Sequence, residues 1–177
     1  MKKVVKKKWS SKTFSKLFLI FFVGCIAGWI YEEIFYYVAE GIIVNRGFLY
    51  GPYLPVYGLG ALLIYLLLNR FKKQPLLVFL LSFVITGVVE YLTGLWMWEV
   101  YHKRWWDYTG LFLNIDGHVC FRSLFTFAIA ALALIYVFVP LIDKLINKMG
   151  KKASFALSLT IGIIMIIDLI LTLLFRY

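Results

Sequence analysis

Long apolar runs separated by short polar clusters organise this chain. No charge occurs from Leu17 to Tyr31, and twenty residues pass without one between Arg122 and Asp143. At ~1.5 Å rise per residue, about twenty helical residues match the ~30 Å hydrocarbon core of a bilayer. The runs predict five helices, over 14–38, 53–69, 76–98, 119–142 and 154–175. Pro52 and Pro55 open the second of them and Gly58 and Gly60 follow closely. They predict an irregular or broken entry, which a membrane tolerates where it is buried in protein or faces water. The expected fold class is an all-α membrane protein, with about five transmembrane helices in one bundle. Residues 14–177 form its single transmembrane domain, behind a basic arm at 1–13.

Composition supports this reading. Of the 177 residues, 63% are hydrophobic and only 16% charged, too few to cover a soluble domain of this size. The net charge of +10 raises the question of a nucleic-acid partner, but its distribution argues against one. Seven lysines precede residue 17, three basic residues lie in Arg70–Lys73, and four lysines fall between Asp143 and Ala153. With five alternating crossings, these 14 of the 19 basic residues share one side. The positive-inside rule makes that side cytoplasmic, placing the N-terminus in and the C-terminus out of the cytoplasmic membrane. The lysine-rich arm reads mainly as a topology signal, with contact to anionic membrane lipids as its second role. A basic region ahead of an apolar one also has the form of a secretion signal, and "FVGC" at 22–25 that of a lipoprotein cleavage site. The apolar run continues past Cys25 and further spans follow, which predicts an uncleaved first helix. Cys25 and Cys120 fall at different depths and read as packing residues.

The acids are distributed differently from the lysines. Of nine, only Asp143 maps to the predicted cytoplasmic side. Glu32, Glu33, Glu90 and Asp168 lie among apolar residues, where a charge is costly unless paired, hydrated or protonated. Gly24, Gly28 and Glu32 form one helical stripe, and Gly87, Glu90 and Gly94 another. Small residues favour close approach of membrane helices, so Glu32 and Glu90 are expected to share a polar site in the bundle. Glu33, rotated by about 100°, is expected to reach the interface among Tyr36 and Tyr37. Ser158, Ile161, Met165, Asp168 and Thr172 make a partly polar seam on the fifth helix. Arg122 and His118 lie near the predicted depth of these acids, and Arg122 is expected to neutralise one of them. Two readings stay open: an ion-pair network that fixes helix packing, or a polar site open to the outside.

The segment 102–123, "HKRWWDYTGLFLNIDGHVCFRS", joins the third and fourth predicted helices. Trp105, Trp106 and Tyr108 suit an aromatic belt at the headgroups, making this an interfacial loop. Asp107, Asn114, Asp116 and His118 exceed what anchoring needs and suggest a lid over the polar site. The candidate ligand- or ion-binding residues are therefore Glu32, Glu90, Arg122, Asp168, His118, Asp107 and Asn114.

"GFLYGPYLPVYGLGA" at 47–61 and "WWDYTGLFLNIDGHVCFRS" at 105–123, with Glu90 between them, resemble the ordered motifs of a known family. It is the putative ABC-transporter type IV, CmpB-like, family of integral membrane proteins, to which a group of vertebrate transmembrane proteins is also similar. The resemblance covers roughly 15–145, leaving out the fifth helix and the lysine arm. His118 stands where a basic residue is more usual, and Phe121 where leucine is. The resemblance implies a transporter permease working with a separate ATPase subunit, since the chain has no P-loop sequence. The predicted cytoplasmic loops, 70–75 and 143–152, are too short for a coupling helix, which leaves the N-terminal arm to dock an ATPase.

Three functions follow. The first is a transport or binding subunit whose acidic pocket takes a cation, an amine or a lipid headgroup; five helices make a small translocation path, so it predicts a homo-oligomer or a subunit. The second is a membrane enzyme acting on a lipid or headgroup. Glu32–Glu33 is similar to the paired glutamates of CAAX-type intramembrane proteases, but no arginine follows within 34–39, and the chain holds only His102 and His118. Its metal site would be almost wholly carboxylate, which suits hard cations better than catalytic zinc. No serine or cysteine has a credible histidine base. The third is a structural or regulatory subunit. No residue pattern names a cofactor.

Overall fold

A computed structural model describes residues 10–43, 45 and 47–176. Most of the lysine arm lies outside them. The elements are α1 (Ser11–Glu40), α2 (Pro55–Leu68) ending in a 3₁₀ turn (Asn69–Phe71), α3 (Pro75–Tyr101), α4 (Phe121–Ala133), a π-helical stretch (Leu134–Phe138) and α5 (Val139–Phe175). The chain divides into two compact units, residues 1–62 with 138–177, and residues 63–137.

Local chemistry sets the helix ends. Ser10 caps α1 through its hydroxyl, which accepts the Thr13 N–H at 3.3 Å. Gly41 ends the helix at φ 73°, a conformation that costs glycine little, and returns its N–H to Tyr37 O. Pro75 opens α3, where a missing N–H is harmless. Pro140 sits just inside α5, and its ring would crowd the carbonyl of Tyr136; the chain is widened into a π-helix immediately before it. Gly150, at φ 79° and ψ 172°, leaves helical geometry and breaks α5.

Among the described residues, three helical runs are long and apolar enough to cross a membrane: Ser11–Val38, Pro75–Tyr101 and Phe121–Phe175. The second predicted helix appears as the shorter apolar segment Pro55–Phe71. The predicted fourth and fifth belong to one continuous run of 55 residues, interrupted at Gly150. The observed class is all-helical; the β-pairing between described residues is an isolated bridge, Ile115 with Val119.

In the first unit α1 packs on α5. Small hydroxyl residues line this contact: Ser15, Ser154, Ser158 and Thr172 are all buried. Ser15, Ser154 and Ser158 return their hydroxyls to the carbonyls of Ser11, Gly150 and Ser154, so close approach strands no polar group. Leu19, Ile20, Ile142 and Ile146 supply the apolar burial. In the second unit α3 packs on α4, with Phe79 edge-on to Phe125 at 5.8 Å and Phe83 tilted against Phe121 at 6.0 Å across the pair.

Candidate functional site

Each unit holds carboxylates that are bound by donors of that same unit. In the first unit the segment 45–57 is the organiser. Asp168 of α5 accepts hydrogen bonds from the Tyr50 N–H at 3.1 Å, the Gly51 N–H at 2.9 Å, the Tyr53 hydroxyl and the Thr172 hydroxyl. Arg176, two turns further along α5, points one guanidinium nitrogen at the carbonyls of Gly47, Phe48 and Leu49, each 3.0 Å away. One helix end thus grips this irregular segment twice, its acid holding amides and its base holding carbonyls. Asn45 braces the segment, accepting from Trp29 Nε1 and the Gly47 N–H and donating to Tyr50 O.

Glu32 of α1 accepts the Tyr57 hydroxyl. The Gly24–Gly28 stripe does permit close approach, but to α2: a Cβ on Gly24 would strike Ala61 and Tyr57, and one on Gly28 would enter the Tyr57 side chain. The expectation that this stripe faces the third helix is therefore corrected. Small residues state that a neighbour comes close without stating which one. The expectation for Glu33 is corrected as well. Glu33 is buried at 9% exposure, whereas Glu32 is only partly buried.

The second unit builds its cluster from α3, the loop 102–120 and the start of α4. Glu90 accepts the Tyr108 hydroxyl at 2.9 Å, and the Ser123 hydroxyl lies 2.8 Å from its other oxygen. Ser123 also accepts the Cys120 N–H at 3.3 Å, so the residue that caps α4 also reaches Glu90. Arg122, the expected α4 partner of the acids, has an exposed side chain; its neighbour makes the contact with Glu90. Ser123→Ala is expected to destabilise the protein by about 1–3 kcal/mol, since it strands a buried acceptor and removes a cap. Unfolding this variant and the wild type in the same detergent checks the cost, and equal stability would mean that Glu90 is held without Ser123.

The loop has a fixed fold. Tyr108 N–H bonds to Gly117 O, Asn114 accepts the Gly117 N–H, and Trp106 Nε1 donates to His118 O at 2.8 Å. Leu113 and Asp116 adopt positive φ, 49° and 54°, which side-chain-bearing residues rarely do. Asp107 accepts from the hydroxyl and N–H of Thr109 and from Arg104. Those Thr109 bonds, with the Arg104 charge, hold its carboxyl below the usual range. His118 is buried at 3% exposure, its ring edge-on to Tyr91 at 5.6 Å, while Tyr91 donates to Asp116. Gly94 makes room for that imidazole, since a Cβ there would meet it. Gly94, Met97, Arg104, Trp105, Trp106 and His118 line a small recess.

Of the predicted site residues, Glu90, Asp107, Asn114, His118 and Arg122 therefore fall in the second unit, and Glu32 and Asp168 in the first. The donors that hold the acids, Tyr53, Tyr57, Tyr108, Ser123 and the backbone of Tyr50 and Gly51, were not among the candidates. Their signal was present: Tyr53 and Tyr57 lie four apart in the quoted "PYLPVYG" motif. Among the described residues, no three His, Cys, Asp or Glu side chains gather as a metal centre would need. Cys25 and Cys120 are both free and buried.

The family described as "Putative ABC-transporter type IV" matches residues 19–173. The match extends well beyond the expected 15–145 and takes in Gly150, Asp168 and nearly all of α5. No curated protein and no solved structure matches the chain.

Proposed function

Because the chain belongs to the family described as "Putative ABC-transporter type IV", we propose that it is the permease-like membrane subunit of a transporter. The observation that carries this reading is the extent of the match, 19–173, which spans most of each long apolar helix found among the described residues. In this reading the chain crosses the cytoplasmic membrane five times, through α1, Pro55–Phe71, α3 and the two arms of the Phe121–Phe175 run on either side of Gly150. The N-terminus lies inside and the C-terminus outside.

Ligand contact is assigned to the second unit. Glu90 lies on an apolar span, held by hydroxyls that can exchange for a ligand. The loop beside it carries His118, Asp107 and Asn114, with Arg122 at the head of α4. An acidic centre of this kind favours a cation or an amine. Glu32, held by the Tyr57 hydroxyl within the first unit, is proposed as a separate ligand-contacting acid. Asp168, with four hydrogen bonds from its own unit, holds the 47–53 segment of the first unit in place.

Energy coupling needs a separate ATPase, docked through the lysine arm and acting on a homo-oligomer of this chain. The full-length tagged chain, extracted in mild detergent, is expected to bring down a P-loop ATPase whose ATP hydrolysis is vanadate-sensitive. Deleting residues 1–9 should lose that activity from the eluate while leaving the membrane chain intact. An eluate free of ATPase, from cells shown to express the genes beside this one, would favour the structural-subunit reading.

A further inference from the structure

The lysines of the first unit gather more tightly than a topology signal requires. Lys12 donates to Asn147 at 2.6 Å and Lys16 pairs with Asp143 at 2.7 Å, tying the start of α1 to α5 just before its break. In that stretch Val139, Ile142 and Ile146 form the buried face. Lys144 and Lys148, one turn apart, lie exposed on another face, and Lys151 and Lys152 follow Gly150, also exposed. Residues 10–16 and 143–152 together contain six lysines and one acid, Asp143, which already has Lys16. The opposite charge that would balance this face is not supplied by those segments.

The depth of the patch identifies what supplies it. Phe121–Ile142 and Ala153–Phe175 are each about 33 Å long at ~1.5 Å per residue, enough for one hydrocarbon core apiece. The ten residues between them are too few to rise above the membrane surface, so their ammonium groups end in the headgroup layer. The densest anions at that depth are lipid phosphates. We propose that Lys12, Lys144, Lys148, Lys151 and Lys152 form a docking surface for anionic phospholipid headgroups, fixed to the bundle by the Lys12–Asn147 and Lys16–Asp143 contacts. This rests on reading the Phe121–Phe175 run as two crossings. A reporter fused after Lys152 tests that separately, because its location does not depend on lipid charge.

The test reconstitutes the full chain in bilayers and compares spin-labelled phosphatidylglycerol with spin-labelled phosphatidylcholine by electron paramagnetic resonance. The wild type is expected to retain the anionic lipid at its surface roughly fivefold better, the scale of about one interfacial lysine, with the preference falling as salt rises. Changing Lys144, Lys148, Lys151 and Lys152 together to Gln should bring the two lipids level; Arg at the same positions should keep the preference, which guards against simple misfolding. The salt series on the wild type needs no variant. Equal association of both lipids with the wild type overturns the proposal. So does a preference that survives high salt or the Gln variant. Loss of the preference to inorganic phosphate at constant ionic strength would reassign the surface to a soluble anion. Binding of a poly-glutamate peptide without lipid preference would reassign it to an acidic protein.

Discussion

Asp168→Ala is expected to destabilise the protein by about 3–5 kcal/mol, because several charge-assisted hydrogen bonds end on one carboxylate. Removing it leaves the Tyr50 and Gly51 amides and the Tyr53 hydroxyl to find other acceptors beside apolar helices. Asp168→Asn, which keeps one oxygen, should cost about half as much. Tyr53→Phe removes a single donor and should cost about 1–2 kcal/mol. The decisive measurement is the double-mutant cycle. If Tyr53 acts through Asp168, Tyr53→Phe should cost almost nothing once Asp168 is Ala, a coupling of about 1–3 kcal/mol. Arg176→Gln tests the second grip: hydrogen exchange at the Tyr50 and Gly51 amides should stay slow, because Asp168 holds them, while the segment around Gly47–Leu49 loosens. Additive costs for Tyr53 and Asp168 would mean that the hydroxyl serves another acceptor.

The legible and illegible parts of this molecule divide along a physical line. Apolar helices were legible because a chain that must bury its backbone in lipid has few options. Their positions follow directly from uncharged runs such as 123–142. The break at Gly150 was masked by the lysines around it, which read equally well as a loop. Buried acids were legible because they are rare in such helices. Their hydroxyl and amide donors were not, because tyrosines, serines and backbone N–H groups occur throughout the chain and carry no charge that marks them. Ser123, beside Arg122, contacts Glu90 and carries no charge that would mark it in the sequence. Arg176 was not among the candidates, although it lies two helical turns beyond Asp168 and grips the same segment. The glycines of α1 marked a close approach correctly, yet every helix in the chain offers apolar surface, and only the fold selects α2 as the partner. Glu33 illustrates the same limit. Its rotation from Glu32 is fixed by helix geometry, but its burial depends on what packs on that face.

Gly28→Ala is expected to be among the most damaging single-methyl changes in the chain. The Cβ it adds falls on the Cβ and Cγ atoms of Tyr57, the base of the side chain and not its mobile end. No rotation of the tyrosine relieves such a clash, so α1 and the start of α2 must separate. Overpacking of this kind costs about 1–3 kcal/mol, and the separation also pulls the Tyr57 hydroxyl off Glu32, adding about 1.5–3 kcal/mol for a hydrogen bond to a carboxylate. Tyr57→Phe loses only the second contribution. Gly28→Ala and Tyr57→Phe should therefore differ by the overpacking cost, and the Phe variant does not help the alanine. Tyr57→Gly does: it removes the colliding Cβ, so that adding Gly28→Ala to Tyr57→Gly should cost well under 1 kcal/mol. Thermal unfolding of the four variants in one detergent reads all of this. If Gly28→Ala is harmless in the wild type, the two helices are further apart than the stripe implies. If it is equally harmful with Tyr57→Gly, the methyl meets something other than Tyr57.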